Sequence, residues 1–133
     1  MIIGVRGTIR AEGIHQILPR LIIEMVKRNI EPLIAYELID LGNFTSADLP
    51  DLIDENVLPQ SRLSEKADMI MTLGGDGSML EAVHELKRDV PILGLHMGSV
   101  GYLTTTTPDH LQECLDDLIE GRLVEDRRTM LHV

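Results

Sequence analysis

Cysteine, positive charge and long apolar runs are all scarce in this chain. Cys114 is its one cysteine, which excludes an internal disulfide framework and a cysteine-built metal centre. Its spacing with Leu111, Leu115 and Leu118 predicts a small buried residue on a helix face. Only 12 Lys and Arg stand against 22 Asp and Glu, a formal net charge of −10. Nucleic acid and anionic membrane both need a basic face, so neither is expected as the main partner. A local basic pocket for a nucleotide stays allowed. No apolar run could span a membrane, and Met1-Ile2-Ile3-Gly4-Val5 is too short for a signal peptide. A cytoplasmic protein is expected.

What is there suits a globular domain. The chain has 133 residues, 44% of them hydrophobic, enough for one core of ordinary size. Met1–Val5 reads as a short buried strand ended by Gly7. Ile14, Ile17, Leu18, Leu21, Ile22, Met25 and Val26 follow the spacing of an amphipathic helix. Pro19 interrupts it, so the helix is expected to kink or to begin near Leu18. Pro32–Tyr36 reads as a second strand. Residues 40–61, acidic and with two prolines, read as a long solvated connection with a short helix near Leu49–Ile53. Asp68–Leu73 is the third strand. Gly77–Arg88 is the next helix, with Leu80, Val83 and Leu86 inward. Pro91–Leu95 is the fourth strand. Thr107-Pro108-Asp109 opens a last helix with a capping hydroxyl, a proline at the first helical position and an acid in the first turn. Leu111, Cys114, Leu115, Leu118 and Ile119 form its apolar face, and Gly121 stops it. Alternating strands and helices predict an α/β fold: a Rossmann-like parallel sheet with helices on both faces. Thr129–Val133 alternates like the start of a strand. The chain is therefore expected to stop where one domain hands over to another, a natural edge strand being the alternative.

Two glycine turns carry the chemistry. In Leu73-Gly74-Gly75-Asp76-Gly77-Ser78 a buried strand feeds a helix through glycines. Such a turn brings backbone N–H groups up to an anion. A carboxylate inside a phosphate cradle suggests more than binding: a base for a hydroxyl, or a link to a metal ion. The dinucleotide fingerprint fails, because Leu80 stands where its third glycine belongs, and no lysine supplies a P-loop. A structural turn would explain one or two of these glycines but poorly explains the whole run.

Gly74-Gly75-Asp76-Gly77-Ser78 resembles the signature GGDG followed by Thr or Ser. NAD kinases, 6-phosphofructokinases and the diacylglycerol/sphingosine-type lipid kinases share it. The second turn, Gly94-Leu95-His96-Met97-Gly98-Ser99-Val100-Gly101-Tyr102-Leu103-Thr104, resembles the NAD kinase segment in particular. So do the following helix and its exit through Glu120-Gly121-Arg122, Glu125 and Arg127-Arg128. The resemblance is strong from Asp68 onward. Before that it rests on the strand–helix–strand layout. Glu81 departs from it, since many NAD kinases carry a basic residue there and lipid kinases often Glu. Ser78 replaces the commoner Thr but keeps the hydroxyl.

The resemblance implies an enzyme that transfers a phosphoryl group from ATP or polyphosphate to the 2′-OH of the adenosine ribose of NAD, giving NADP. A lipid or sugar kinase and a non-catalytic nucleotide-binding module are the alternatives. Asp76 would be the catalytic base, or else a helix cap. Gly74, Gly75, Gly77 and Ser78 would meet phosphate, with Ser78 equally able to cap the helix. Gly98, Gly101 and Tyr102 would hold the dinucleotide. Tyr102 either stacks near adenine or packs in the core. His96 lines the pocket or is a structural group. Mg²⁺ or another divalent cation would arrive with the ATP, with no protein cage for it. The resemblance also implies a homo-oligomer, dimer or tetramer, as the full-length enzyme. Residues 1–124 would form its N-terminal domain. Residues 125–133 would begin a strand leading into an absent β-rich domain, whose Asn-Glu/Asp motif lies beyond Val133. By itself the fragment is expected to be inactive.

Overall fold

The computed structural model describes residues 1–7, 11–96 and 107–121. Strand β1, Ile2–Gly7, runs into α1, Ala11–Lys27, and then β2, Glu31–Ala35, and α2, Tyr36–Gly42. A two-residue strand β3, Val57–Leu58, lies between 3₁₀ turns at Asp54–Asn56 and Gln60–Glu65. Then come β4, Met69–Gly74; α3, Asp76–His84; β5, Ile92–His96; and α4, Leu111–Ile119, entered through a 3₁₀ turn at Pro108–His110. All strand pairs are parallel, in the order β3-β2-β1-β4-β5. The chain winds outward from β1 on one side, then crosses back to begin again at β4.

Side-chain alternation along β1 separates the two faces. Ile3 and Val5 are fully buried on one face, which α1, α2 and α4 cover as a packed layer. Gly4 and Arg6 point to the other. A Cβ on Gly4 would meet Ile70, Ala67 and Leu63, and Arg6 pairs with Glu81 of α3 and with Glu85, which caps its carboxyl end. Helices therefore lie on both faces, as the alternation of elements predicts.

Several expectations need correction. α1 runs unbroken through Pro19 from Ala11. The proline forfeits one helical hydrogen bond, but burying Ile14, Ile17, Leu18, Leu21, Ile22 and Met25 outweighs that. Val26 faces solvent instead of joining that stripe. Asn29, with φ 59°, closes the helix in the left-handed conformation. Residues 40–61 are not one solvated connection. They finish α2 and supply β3, and no helix forms at Leu49–Ile53. Buried Asn56 ties this stretch down, donating from Nδ2 to the Pro32 carbonyl at 2.9 Å. α3 ends at His84, four residues short of expectation, and exposes Leu80. Ile119 of α4 is also exposed. Thr107 makes no side-chain cap hydrogen bond. Gly121, at φ 73°, stops α4 as expected. The hand-over strand at 125–133 lies outside the described residues.

Candidate functional site

In an open α/β sheet, ligands sit beyond the carboxyl ends of the strands where the winding reverses. Here that point lies between β1 and β4. Gly7 ends β1 opposite Leu73 of β4, and a Cβ on Gly7 would collide with the Leu73 carbonyl oxygen at 2.1 Å. Glycine is what lets the two strands meet closely there. One residue further, Gly74 ends β4 with φ 142°, a conformation that side chains rarely adopt. Its partner across the ladder is His96, the last residue of β5. The first glycine turn and the start of the second therefore leave the sheet side by side.

Gly75 is the N-cap of α3, with extended backbone at φ −115° and no side-chain cap hydrogen bond. Asp76 is the first helical residue, one position past the N-cap. Ser78 is the third helical residue. It is buried, and its hydroxyl donates back to the Leu73 carbonyl at 3.5 Å, tying the helix start to β4. The Gly75 carbonyl accepts from the N–H of Ser78 at 3.1 Å and of Met79 at 3.4 Å. The earlier N–H groups of α3 lie in the part of a helix that has no intrahelical acceptor, and there the dipole favours an anion. A Cβ built on Gly75 or Gly77 meets nothing within 4 Å among the described residues. Neither strain nor packing asks for glycine at those two positions; close approach by an outside group would. Gly98, Gly101 and Tyr102 lie outside the described residues. Among the described residues, no group of three His, Cys, Asp or Glu side chains could hold a metal ion.

Sequence reasoning missed Arg6. It is buried at 2% exposure in β1, contacts Glu85, and places Nη2 3.5 Å from Glu81 Oε1. A charged residue inside the apolar run Ile2–Gly7 was the available signal. The pair also gives Glu81 a structural reason: its carboxylate answers a cation supplied by β1.

Comparison with known proteins shows the family. The family model described as the ATP-NAD kinase N-terminal domain matches residues 25–123. The chain belongs to the NAD kinase family. An NAD kinase of Teredinibacter turnerae is 32% identical over 130 residues, which is 97% of this chain and 42% of that protein. Another, from Saccharophagus degradans, is 28% identical over 131 residues, 98% of this chain and again 42% of the relative. The chain thus spans under half the length of these relatives. Among solved structures, yeast NADH kinase complexed with NADH superimposes with a TM-score of 0.72 at 16% identity, covering 92% of this chain and 38% of that one. At that identity the likeness speaks for the fold. No helix among the described residues is long and apolar enough to cross a membrane.

Proposed function

We propose that this chain forms the N-terminal, α/β part of an enzyme that phosphorylates the 2′-OH of the adenosine ribose of NAD, with ATP or polyphosphate as donor. The observation that carries the reading is the Gly74–Ser78 turn, standing at the switch point in a chain of the NAD kinase family. Phosphoryl transfer asks a protein mainly for positioning and charge balance. Backbone N–H groups at the start of α3 hold phosphate oxygens. Gly75 and Gly77 let those oxygens approach. Asp76 accepts the proton of the ribose hydroxyl as its oxygen attacks the terminal phosphorus and the donor leaves. Ser78 holds the helix start against β4. His96, at the end of β5, leads into the Gly98–Tyr102 turn, which holds the dinucleotide, with Tyr102 stacked near adenine. A divalent cation arriving with ATP offsets phosphate charge. Glu81, the residue that the lipid kinase alternative shares, lies 3.5 Å from buried Arg6.

The test is an assay on the full-length protein that contains this chain. ATP or polyphosphate is offered with NAD, NADH, a sugar or a diacylglycerol as acceptor. NADP or NADPH formation is expected. Phosphorylation of a lipid or sugar alone would replace this reading by the alternative.

A further inference from the structure

The helix that carries the glycine turn has little apolar attachment. Among its described side chains, α3 buries only two small ones, Ser78 and Ala82, and it exposes Leu80. A nine-residue helix does not hold itself in water. A narrow void lined by Arg6, Ser64, Ile70, Ala82 and Glu85 lies beneath it. Polar ties gather instead at its carboxyl end and on the residues just beyond it. Ser64 Oγ accepts from the Lys87 N–H at 2.7 Å. Arg88 Nη2 donates to the Ala67 carbonyl at 3.1 Å. Arg6 reaches from β1 to Glu85 by a hydrogen-bonded ion pair, and to Glu81 by charge at 3.5 Å without a hydrogen bond.

Arg6 is costly to place there. Its Nε and Nη2 have no hydrogen-bond partner among the described residues. Taking a guanidinium out of water with so little satisfied is unfavourable, and an apolar side chain of similar volume usually serves stability as well. Its effect is geometric. Glu81, in the last turn of α3, and Glu85, at its C-cap, stand about one turn apart where the helix dipole disfavours negative charge. One cation in the sheet draws both toward β1. Arg6 lies opposite Thr72, two residues before Gly74. We infer that Arg6 is a positioning residue. Through Glu81 and Glu85 it sets the depth and rotation of α3 on the sheet, and thereby the pose of Gly75 and Asp76. Its kinetic consequence rests on the kinase reading above; its effect on α3 does not.

The experiment uses the full-length protein carrying Arg6→Met, Arg6→Lys, or Glu81→Gln with Glu85→Gln. Arg6→Met should melt within about 2 °C of the parent or above it. Its kcat should fall about 10–10²-fold, as expected for a group held slightly out of place, while KM for ATP holds. Amide exchange at residues 75–79 should quicken about tenfold, with β1 and β4 unchanged. Arg6→Lys should recover part of the loss. The paired glutamine variant should reproduce it, and adding Arg6→Met to that variant should cost little more. Unchanged kcat and unchanged local exchange would overturn the inference. So would a lowered Tm with faster exchange throughout the sheet, since Arg6 would then be an ordinary stabilising residue. If the parent phosphorylates neither NAD nor NADH, the kinase reading fails, and exchange at 75–79 alone decides the role of Arg6.

Discussion

Where β4 passes into α3, three glycines surround one aspartate, and they are glycine for different reasons. Gly74 has φ 142°, so its backbone excludes side chains. Gly74→Ala should cost about 1–3 kcal/mol of stability, read by thermal or urea melts. Gly75 and Gly77 carry no such strain, and no described atom crowds them. Gly77→Ala should therefore leave stability unchanged or raise it by about 0.5–1 kcal/mol, since it lies within a helix. Turnover should fall by more than about tenfold, because the new methyl group stands where phosphate oxygens approach. A melt beside a steady-state assay separates the two effects, and normal turnover would mean that phosphate does not pass over Gly77. Asp76→Asn keeps the size of the side chain but removes a proton acceptor. With the full-length protein its kcat should drop about 10²–10⁴-fold, with little change in Tm. Near-normal turnover would remove Asp76 from the mechanism.

Among the elements, α1 and α4 are joined by a charged clamp. Arg28 donates to Glu24 Oε2 at 2.7 Å and to Asp116 Oδ1 at 2.7 Å. Glu24 is buried, and the hydrogen bond from Arg28 holds its carboxyl below the usual glutamate value, against the opposing effect of burial and with help from Lys27. A carboxyl depressed by folding adds stability above its unfolded pKa, about 4.3, and loses it as pH falls through the lower folded value. Glu24→Gln should therefore lower stability at pH 7 by about 1 kcal/mol, and the gap to the parent should close in acid. Melts at several pH values check this; a gap independent of pH would mean that the effect is packing alone. The elements differ in how far they could be read from sequence. The four longer strands were legible to within one or two residues, because each is an apolar run bounded by turn residues. β3 was not, since two residues carry no period and Asn56, one buried amide, does the anchoring. The inward face of α3 was misread because period-based reasoning looks for large apolar residues, and this helix packs through Ser78 and Ala82. The glycine turn was legible as a motif, whereas Arg6 was not, because its partners lie far along the chain.

Taken whole, the molecule would offer only part of what the proposed two-substrate transfer needs. The chain covers 42% of the NAD kinases it matches end to end, and its glycine turn stands at the carboxyl end of β4, beside the switch point. The proposed phosphoryl transfer would require the acceptor hydroxyl and donor phosphate to be fixed together, and that proximity supplies up to about 7–11 kcal/mol of such a rate advantage. Groups outside these residues would have to share in it. The 133 residues should therefore fold, since the core is shared between both faces of a continuous sheet, yet form no NADP from NAD and ATP. Binding at the start of α3 should persist weakly, because the N–H groups there belong to this part alone. The net charge of −10 opposes approach of a polyanion, so that weak binding should tighten as salt screens the repulsion, the reverse of binding to a basic patch. Titration of ATP into the 133 residues at low and high ionic strength, beside an NADP assay on the same material and on the full-length protein, checks each part. Turnover by the short chain would place every essential group within it, and weaker binding at high salt would mean that a basic pocket, and not the helix start, holds the phosphates.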